Sequence, residues 1–157
     1  MEFQYSLPRW EELPCFELYA EQMIEFIQQA IEPINWNQQM KLTKAMVNNY
    51  TKKKLLPPPI GKKYNIHHIA RLIVMTILKP AFSLTDIDEQ VTSLVNRLDS
   101  KEIYNQFCDI FDEQLQGMSQ GSVVLSGVTA EESIIRSAVT AILSKMMCEA
   151  LIHHEGE

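Results

Sequence analysis

Apolar residues recur at steps of three and four along most of the chain, and this spacing predicts amphipathic helices. The first predicted helix follows Pro14 and ends near Pro33, with acidic and amide side chains on its opposite side. Its apolar positions are Phe16, Tyr19, Ala20, Met23, Ile24, Ile27 and Ile31. The sequence contains no internal repeat, so we expect a mainly α-helical globular protein rather than a solenoid.

A second, shorter helix is predicted from Lys44 to about Lys54, with Thr43 as its N-cap. Its apolar side carries Leu42, Met46, Val47 and Tyr50. The proline run at 57–59 ends this helix, because proline has no amide donor and holds the preceding residue in an extended conformation. The following segment, Ile-Gly-Lys-Lys-Tyr at 60–64, indicates a short turn with a basic tip.

Four more helices are predicted in the rest of the chain. We expect them at about 66–79, at 84–98 after the N-cap Ser83, from about 100 to the Gly/Ser-rich stretch 117–127, and from 129 to about 153. The first of these is apolar nearly all round, which predicts burial. The last carries more apolar surface than a core seam requires, so we expect part of it to face a second subunit in a homodimer.

Charge is unevenly distributed along the chain. The net charge is -6, yet the segment Pro33 to Thr85 contains nine Lys and Arg residues and no Asp or Glu. Such segregation is typical of a DNA-binding face on an acidic body. A solvated basic loop is the alternative interpretation of the same composition.

The second predicted helix has the side chains that reading DNA requires. A helix in the major groove presents polar groups to base edges, and cations beside it hold the phosphates. Asn48 and Asn49 can each offer a paired donor and acceptor to adenine, whereas Lys44 and the run Lys52–Lys54 can bind the backbone. Ordinary surface polarity is the alternative for the two asparagines.

The stretch TKAMVNNYTKKKLLPPP, followed by KKY and then FSLTDI, resembles the DNA-binding head of the MerR family. The match covers Tyr50 in the recognition helix, the exit Leu55–Pro57, the wing Lys63–Tyr64 and the helix entry at 82–87. The resemblance implies a winged helix-turn-helix that binds palindromic double-stranded DNA as a dimer. The candidate DNA-binding residues are Thr43, Lys44, Asn48, Asn49, Tyr50, Lys52, Lys53, Lys54, Lys62, Lys63 and Tyr64.

The chain as a whole is also similar to an uncharacterised family, domain of unknown function 1836. Together these observations predict a mainly α fold: a MerR-like winged helix-turn-helix head with its preceding helix at 14–98, packed with a C-terminal helical bundle at 99–157. The bundle would complete the core and form the dimer. The function expected is transcription regulation, and the rival is a non-enzymatic protein-interaction module whose basic face binds an acidic partner.

Other classes of function are not expected. The G-x-S-x-G pattern at 117–121 follows a predicted helix instead of a strand, so we expect no hydrolase and no other enzyme. Adjacent histidines at 67–68 and 153–154 diverge around a helix, so we expect no metal site and no cofactor. Three widely spaced cysteines and a start without a basic, apolar leader predict a cytoplasmic protein that avoids the membrane.

An effector pocket is the last open alternative. Aromatic and methionine side chains in the C-terminal half could line a site for an unidentified small molecule, although their helical spacing favours core packing. These residues are Tyr104, Phe107, Phe111, Met118, Met146 and Met147. Cys108 lies on the same stripe, and we expect it in the core.

Overall fold

The computed structural model describes residues 4–154, and within them the chain is mainly α-helical. The α-helices are α1 Ala20–Ile31, α2 Lys44–Lys52, α3 Ile66–Leu78, α4 Leu84–Val95, α5 Ser100–Ser119 and α6 Ala130–His154. Short 3-10 helices lie at Trp10–Glu12 and Glu32–Ile34, and strands β1 Leu18–Tyr19 and β2 Lys63–Tyr64 pair antiparallel. Residues 1–3 and 155–157 lie outside the described residues. The first range begins the stretch expected not to be a leader, and the second ends the predicted C-terminal region.

The first helix begins later than its apolar spacing predicts. Leu18 and Tyr19 are extended and pair with Tyr64 and Lys63, respectively, and Phe16 is 64% exposed. The prediction of a helix that includes residues 16 and 19 is therefore wrong. Backbone pairing with a distant segment replaces the helical hydrogen bonds at this point, and apolar spacing carries no information about that pairing.

Helix α2 begins as predicted and ends slightly earlier. The Thr43 hydroxyl accepts a hydrogen bond from the Met46 amide at 3.2 Å, which confirms the N-cap. The helix ends at Lys52, because Lys54 adopts a left-handed conformation with φ 60°. The Leu55 amide then donates a hydrogen bond to the Tyr50 carbonyl at 2.9 Å, as is common where a helix ends at a residue in the left-handed conformation.

Helix α3 lies at the centre of the structure and contacts α1, α4, α5, α6 and β2. Nearly its whole surface is buried, as its all-round apolar character predicts. Helices α5 and α6 pack against each other beside it, and one apolar core extends through α1, α3, α5 and α6. The core is thus continuous across residue 98, the predicted boundary between the two regions.

The segment before residue 14 is held against α5. The Tyr104 hydroxyl donates to the Pro8 carbonyl at 2.6 Å, and the Leu7 amide donates to Asp112 at 3.1 Å. Cys108 is fully buried beside this segment, which confirms its expected place in the core, and burial raises the pKa of its thiol to about 12.

Two side chains in the loop between α1 and α2 reach the far end of α6. Asn37 donates to the Glu149 carboxylate, and Gln39 accepts from the Lys145 ammonium at 2.9 Å. The approach to α2 is therefore fixed by the last helix. No helix within residues 4–154 is long and apolar enough to cross a membrane.

Candidate nucleic-acid interface

One side of α2 is exposed, and it carries most of the predicted contact residues. The opposite side is buried through Val47 and Tyr50. The exposed members of the predicted set in and around this helix are Thr43, Lys44, Asn48, Asn49, Lys52, Lys53 and Lys54. Amide side chains thus lie between lysines on a single solvent-facing surface.

Two tyrosines of the predicted set are part of the core. Tyr50 is 3% exposed and Tyr64 is 4% exposed, so their rings pack inside the protein and do not face solvent. Burial raises the pKa of both phenols. We therefore keep the exposed lysines and asparagines as candidate contacts and assign the tyrosines to packing.

The basic turn after α2 is a two-residue hairpin. Ile60 and Lys63 exchange both backbone hydrogen bonds, at 3.0 and 3.1 Å, while Gly61 and Lys62 both have positive φ, 57° and 64°. This is the conformation of a type I′ turn, in which glycine costs least. Lys62 is exposed at its tip, and the Lys63 ammonium lies 5.3 Å from the centre of the Tyr19 ring.

The start of α1 brings α2 and the turn together. Glu21 receives a hydrogen bond from the Lys44 ammonium at 2.8 Å, while Tyr19, two positions earlier, contacts Lys63. The hydrogen bond with Lys44 lowers the pKa of the Glu21 carboxyl, and the same bond raises the pKa of Lys44. Both side chains are mostly exposed, so an incoming phosphate would compete with Glu21 for Lys44.

Helix α3 holds the segment that follows α2. The Arg71 guanidinium donates to the Leu55 carbonyl through Nε and to the Asp88 carboxylate through Nη2, each at 2.7 Å. The His68 Nε2 donates to the Pro57 carbonyl at 3.1 Å. These contacts fix the path of the backbone after α2 and so the position of the three lysines at 52–54.

The contact between His68 and the proline run places a proton on Nε2 of the imidazole. A carbonyl can only accept, so the contact with Pro57 requires the proton there. Nδ1 accepts from the backbone amide of Asn65 at 3.1 Å and also lies 3.0 Å from the side-chain oxygen of the same residue. Burial lowers the pKa of this imidazole, since the charged form would lose hydration. Its function in the structure is to join α3 to the proline run.

Two cations of the acid-free segment serve the fold. Arg71 is engaged as described, and the Lys79 ammonium donates to the Lys41 carbonyl at 2.8 Å. Burial lowers the pKa of Lys79. The charge available to a ligand on this surface is therefore smaller than the composition of the segment indicates.

The six candidate residues for an effector pocket fall into three groups. Met118 and Met147 are half-buried and border a separate pocket beside Leu151 and Ile152. Phe111 and Met146 lie in the core, which confirms packing for them, whereas Tyr104 and Phe107 are buried but also border an apolar cavity of about 350 Å³. The cavity lies among α3, α4, α5 and α6, and its lining comes from segments far apart in sequence. Apolar spacing therefore could not identify it.

No group of three or more His, Cys, Asp or Glu side chains that could hold a metal ion occurs in the part of the chain that the structure describes. The adjacent histidines His67 and His68 differ in environment: His67 is exposed and His68 is buried. Of the other pair, the side chain of His154 is not described.

Residues 8–108 match the protein family described as Domain of unknown function (DUF1836). The match covers more than half of the chain, and the protein belongs to this family. It begins before α1 and ends within α5, so α6 lies outside the matched residues. Neither a curated protein nor a solved structure matches the chain.

Proposed function

We propose that the protein is a sequence-specific regulator of transcription that binds double-stranded DNA through α2 and the turn at 60–64. The observation that supports this most is the exposed side of α2, where Asn48 and Asn49 lie between lysines. Such a side suits the major groove, because amide side chains pair with base edges and ammonium groups with phosphates.

The proposal includes a MerR-like winged helix-turn-helix head, and the exposed helix α2 followed by a basic turn supports it. In this proposal α1 and α2 form the helix-turn-helix, α2 is the recognition helix, and the turn with Lys62 at its tip is the wing. The helices after residue 98 form the C-terminal bundle that supports the head. The protein would act in the cytoplasm, where DNA is accessible to it.

A homodimer is part of the proposal, since a symmetric dimer reads two half-sites of a palindrome. Apolar side chains at the end of α6 and in the connection before it are exposed and would be covered in a dimer. These are Val123, Val124, Leu125, Val128, Leu151 and Ile152. Sedimentation equilibrium of the full chain measures the mass of the assembly directly, and a monomer at micromolar concentration would contradict the dimer.

The decisive experiment is selection of bound duplexes from random DNA, followed by fluorescence anisotropy at several salt concentrations. Changing Lys52, Lys53 and Lys54 together to Glu should abolish binding. Lys52→Glu alone should lower the salt slope by about 0.9 if one phosphate contact is lost. Lys101→Glu, the same charge change on α5, is the matched control and should leave the slope unchanged.

Sequence readout has its own test. Asn48→Ala should change the selected consensus more than the affinity for unrelated duplexes, because an amide facing a base edge carries information and little nonspecific affinity. Absence of salt-dependent binding by the wild-type protein to any duplex would overturn the proposal. Capture of an acidic protein on the same lysines would then favour the rival interaction module.

A further inference from the structure

The apolar cavity lies between the head and the C-terminal helices, next to the segment that follows α2. Its wall includes Ala70 and Val74 of α3, Val91 of α4, Phe107 of α5 and Ala138 of α6. Its volume of about 350 Å³ is at the lower end of the range of small-molecule sites. The exposed residues Pro57, His67 and Val95 also border it, so the cavity reaches the surface.

The chemistry of the wall favours a neutral ligand. Arg71 is the cation in the wall, and its charge is already balanced by Asp88 at 2.7 Å. The rings of Trp10 and Tyr104 lie edge to face in the same wall, with centroids 6.2 Å apart. Aromatic and aliphatic surfaces of this kind pack best against an apolar ring.

One polar group in the wall lacks a partner. The Oε1 atom of Gln90 accepts no hydrogen bond from any residue in 4–154 and is closed off from solvent, so a ligand in the cavity reaches this oxygen only after the side-chain amide turns towards it. A buried acceptor without a donor is destabilising, so a ligand that donates to this amide would bind more tightly than an apolar molecule of the same shape.

We propose that this cavity is a binding site for a small, neutral, mainly apolar molecule that carries a ring and one hydrogen-bond donor directed to Gln90. Pro57 and Arg71 belong both to the cavity wall and to the contacts that fix the end of α2. A ligand there would act on the position of α2. This regulatory role rests on the proposed DNA-binding function, whereas the binding site itself does not.

Indole and indene are matched probes, because they have nearly the same shape and indole alone carries an N–H donor. Isothermal titration of the full chain should detect indole, and indene should bind about tenfold more weakly. Gln90→Leu should remove this preference while indene still binds, which shows that the variant retains the cavity. Indole-3-acetate, an anion, should bind more weakly than indole.

Cavity-filling variants locate the site. Val91→Phe and Ile134→Phe enter the cavity from α4 and α6, where both residues are half-buried, and each should abolish indole binding. Val128→Phe makes the same substitution at a residue 97% exposed and should bind indole as the wild type does. Thermal unfolding verifies that each variant is folded.

Three results would overturn the inference: no indole binding by the wild type, undiminished binding by both folded filling variants, or equal affinity for indole and indene. None of these experiments includes DNA in the sample. Failure of the binding site is therefore distinguishable from failure of the proposed regulator function, which duplex binding alone decides.

Discussion

The guanidinium of Arg71 donates to the backbone carbonyl of Leu55 at 2.7 Å, and a second nitrogen of the same group holds Asp88. A planar guanidinium can hold two partners in fixed directions, which a lysine ammonium does not reproduce. The backbone after α2 is thus joined to α4 through one side chain of α3. The position of the lysines at 52–54 depends on this junction.

Replacement of Arg71 should destabilise the fold. Arg71→Leu should lower the free energy of unfolding by about 1.5–3 kcal/mol, because hydrogen bonds to a charged group are lost and the Leu55 carbonyl loses its donor. Arg71→Lys should recover only part of this loss. Urea unfolding measures both. Arg97→Leu is the control, since Arg97 and Glu131 form a more exposed pair that contributes little; equal effects at 71 and 97 would contradict the prediction.

Stability should depend on pH through His68. Its pKa is lowered in the folded state, so the folded protein binds the proton less readily than the unfolded chain does, whose histidine pKa is about 6.5. The stabilisation by the neutral ring is complete above that pH and is lost as pH falls towards the folded pKa. The free energy of unfolding should therefore decline more between pH 7.5 and 5.5 in the wild type than in His68→Gln.

The control for this pH dependence is His67→Gln, which changes the exposed neighbouring histidine. It should retain the wild-type decline over the same range. A His68→Gln variant with the same pH dependence as the wild type would show that burial does not lower the pKa of this imidazole in the folded protein.

Glycine at position 54 should stabilise the end of α2. Lys54 has φ 60°, where a side chain other than glycine is strained. Lys54→Gly should raise the free energy of unfolding by about 0.5–1 kcal/mol, because glycine is the usual residue in this helix ending. Lys53→Gly, at φ -80°, is the control and should lower stability. A lower free energy of unfolding in Lys54→Gly would contradict the inference that the backbone of Lys54 is strained.

Removal of the Glu21 charge should strengthen DNA binding. The carboxylate holds Lys44 at 2.8 Å on the surface proposed for phosphate, so Glu21→Gln frees one ammonium and removes one repulsive charge. Affinity for the selected duplex should rise several-fold, most strongly at low salt. Glu102→Gln makes the same charge change on α5 and should have a smaller effect; the opposite order would contradict the placement of DNA on α2.

Local rules predicted much of the fold because the signals were local. The N-caps at Thr43 and Ser83, the buried surface of α3 and the ending near Lys54 each depend on neighbouring residues. Apolar spacing wrongly predicts helix at Leu18–Tyr19, because the partner of this strand is a distant turn. Pairing between distant segments leaves no periodic trace in a sequence.

The candidate site was partly predictable for a similar reason. Lys44, Asn48 and Asn49 are polar residues in an amphipathic helix, and the structure exposes all three. Tyr50 and Tyr64 have polar and apolar parts, so only the packing of the whole chain decides whether each ring is buried. The cavity could be foreseen only in part. Tyr104 and Phe107 are among the residues expected for an effector pocket, but the rest of the void is defined by what several separate helices leave unfilled.

The continuous core also sets the smallest piece of this protein suitable for expression. A fragment cut at Cys108, where the family match ends, would lack the buried residues Phe111 and Leu115 and the whole of α6. It would also lose the anchors that Glu149 and Lys145 give to the loop before α2. A recombinant fragment limited to this family segment would therefore expose apolar surface and tend to aggregate. Chains that retain α6 are the appropriate starting material.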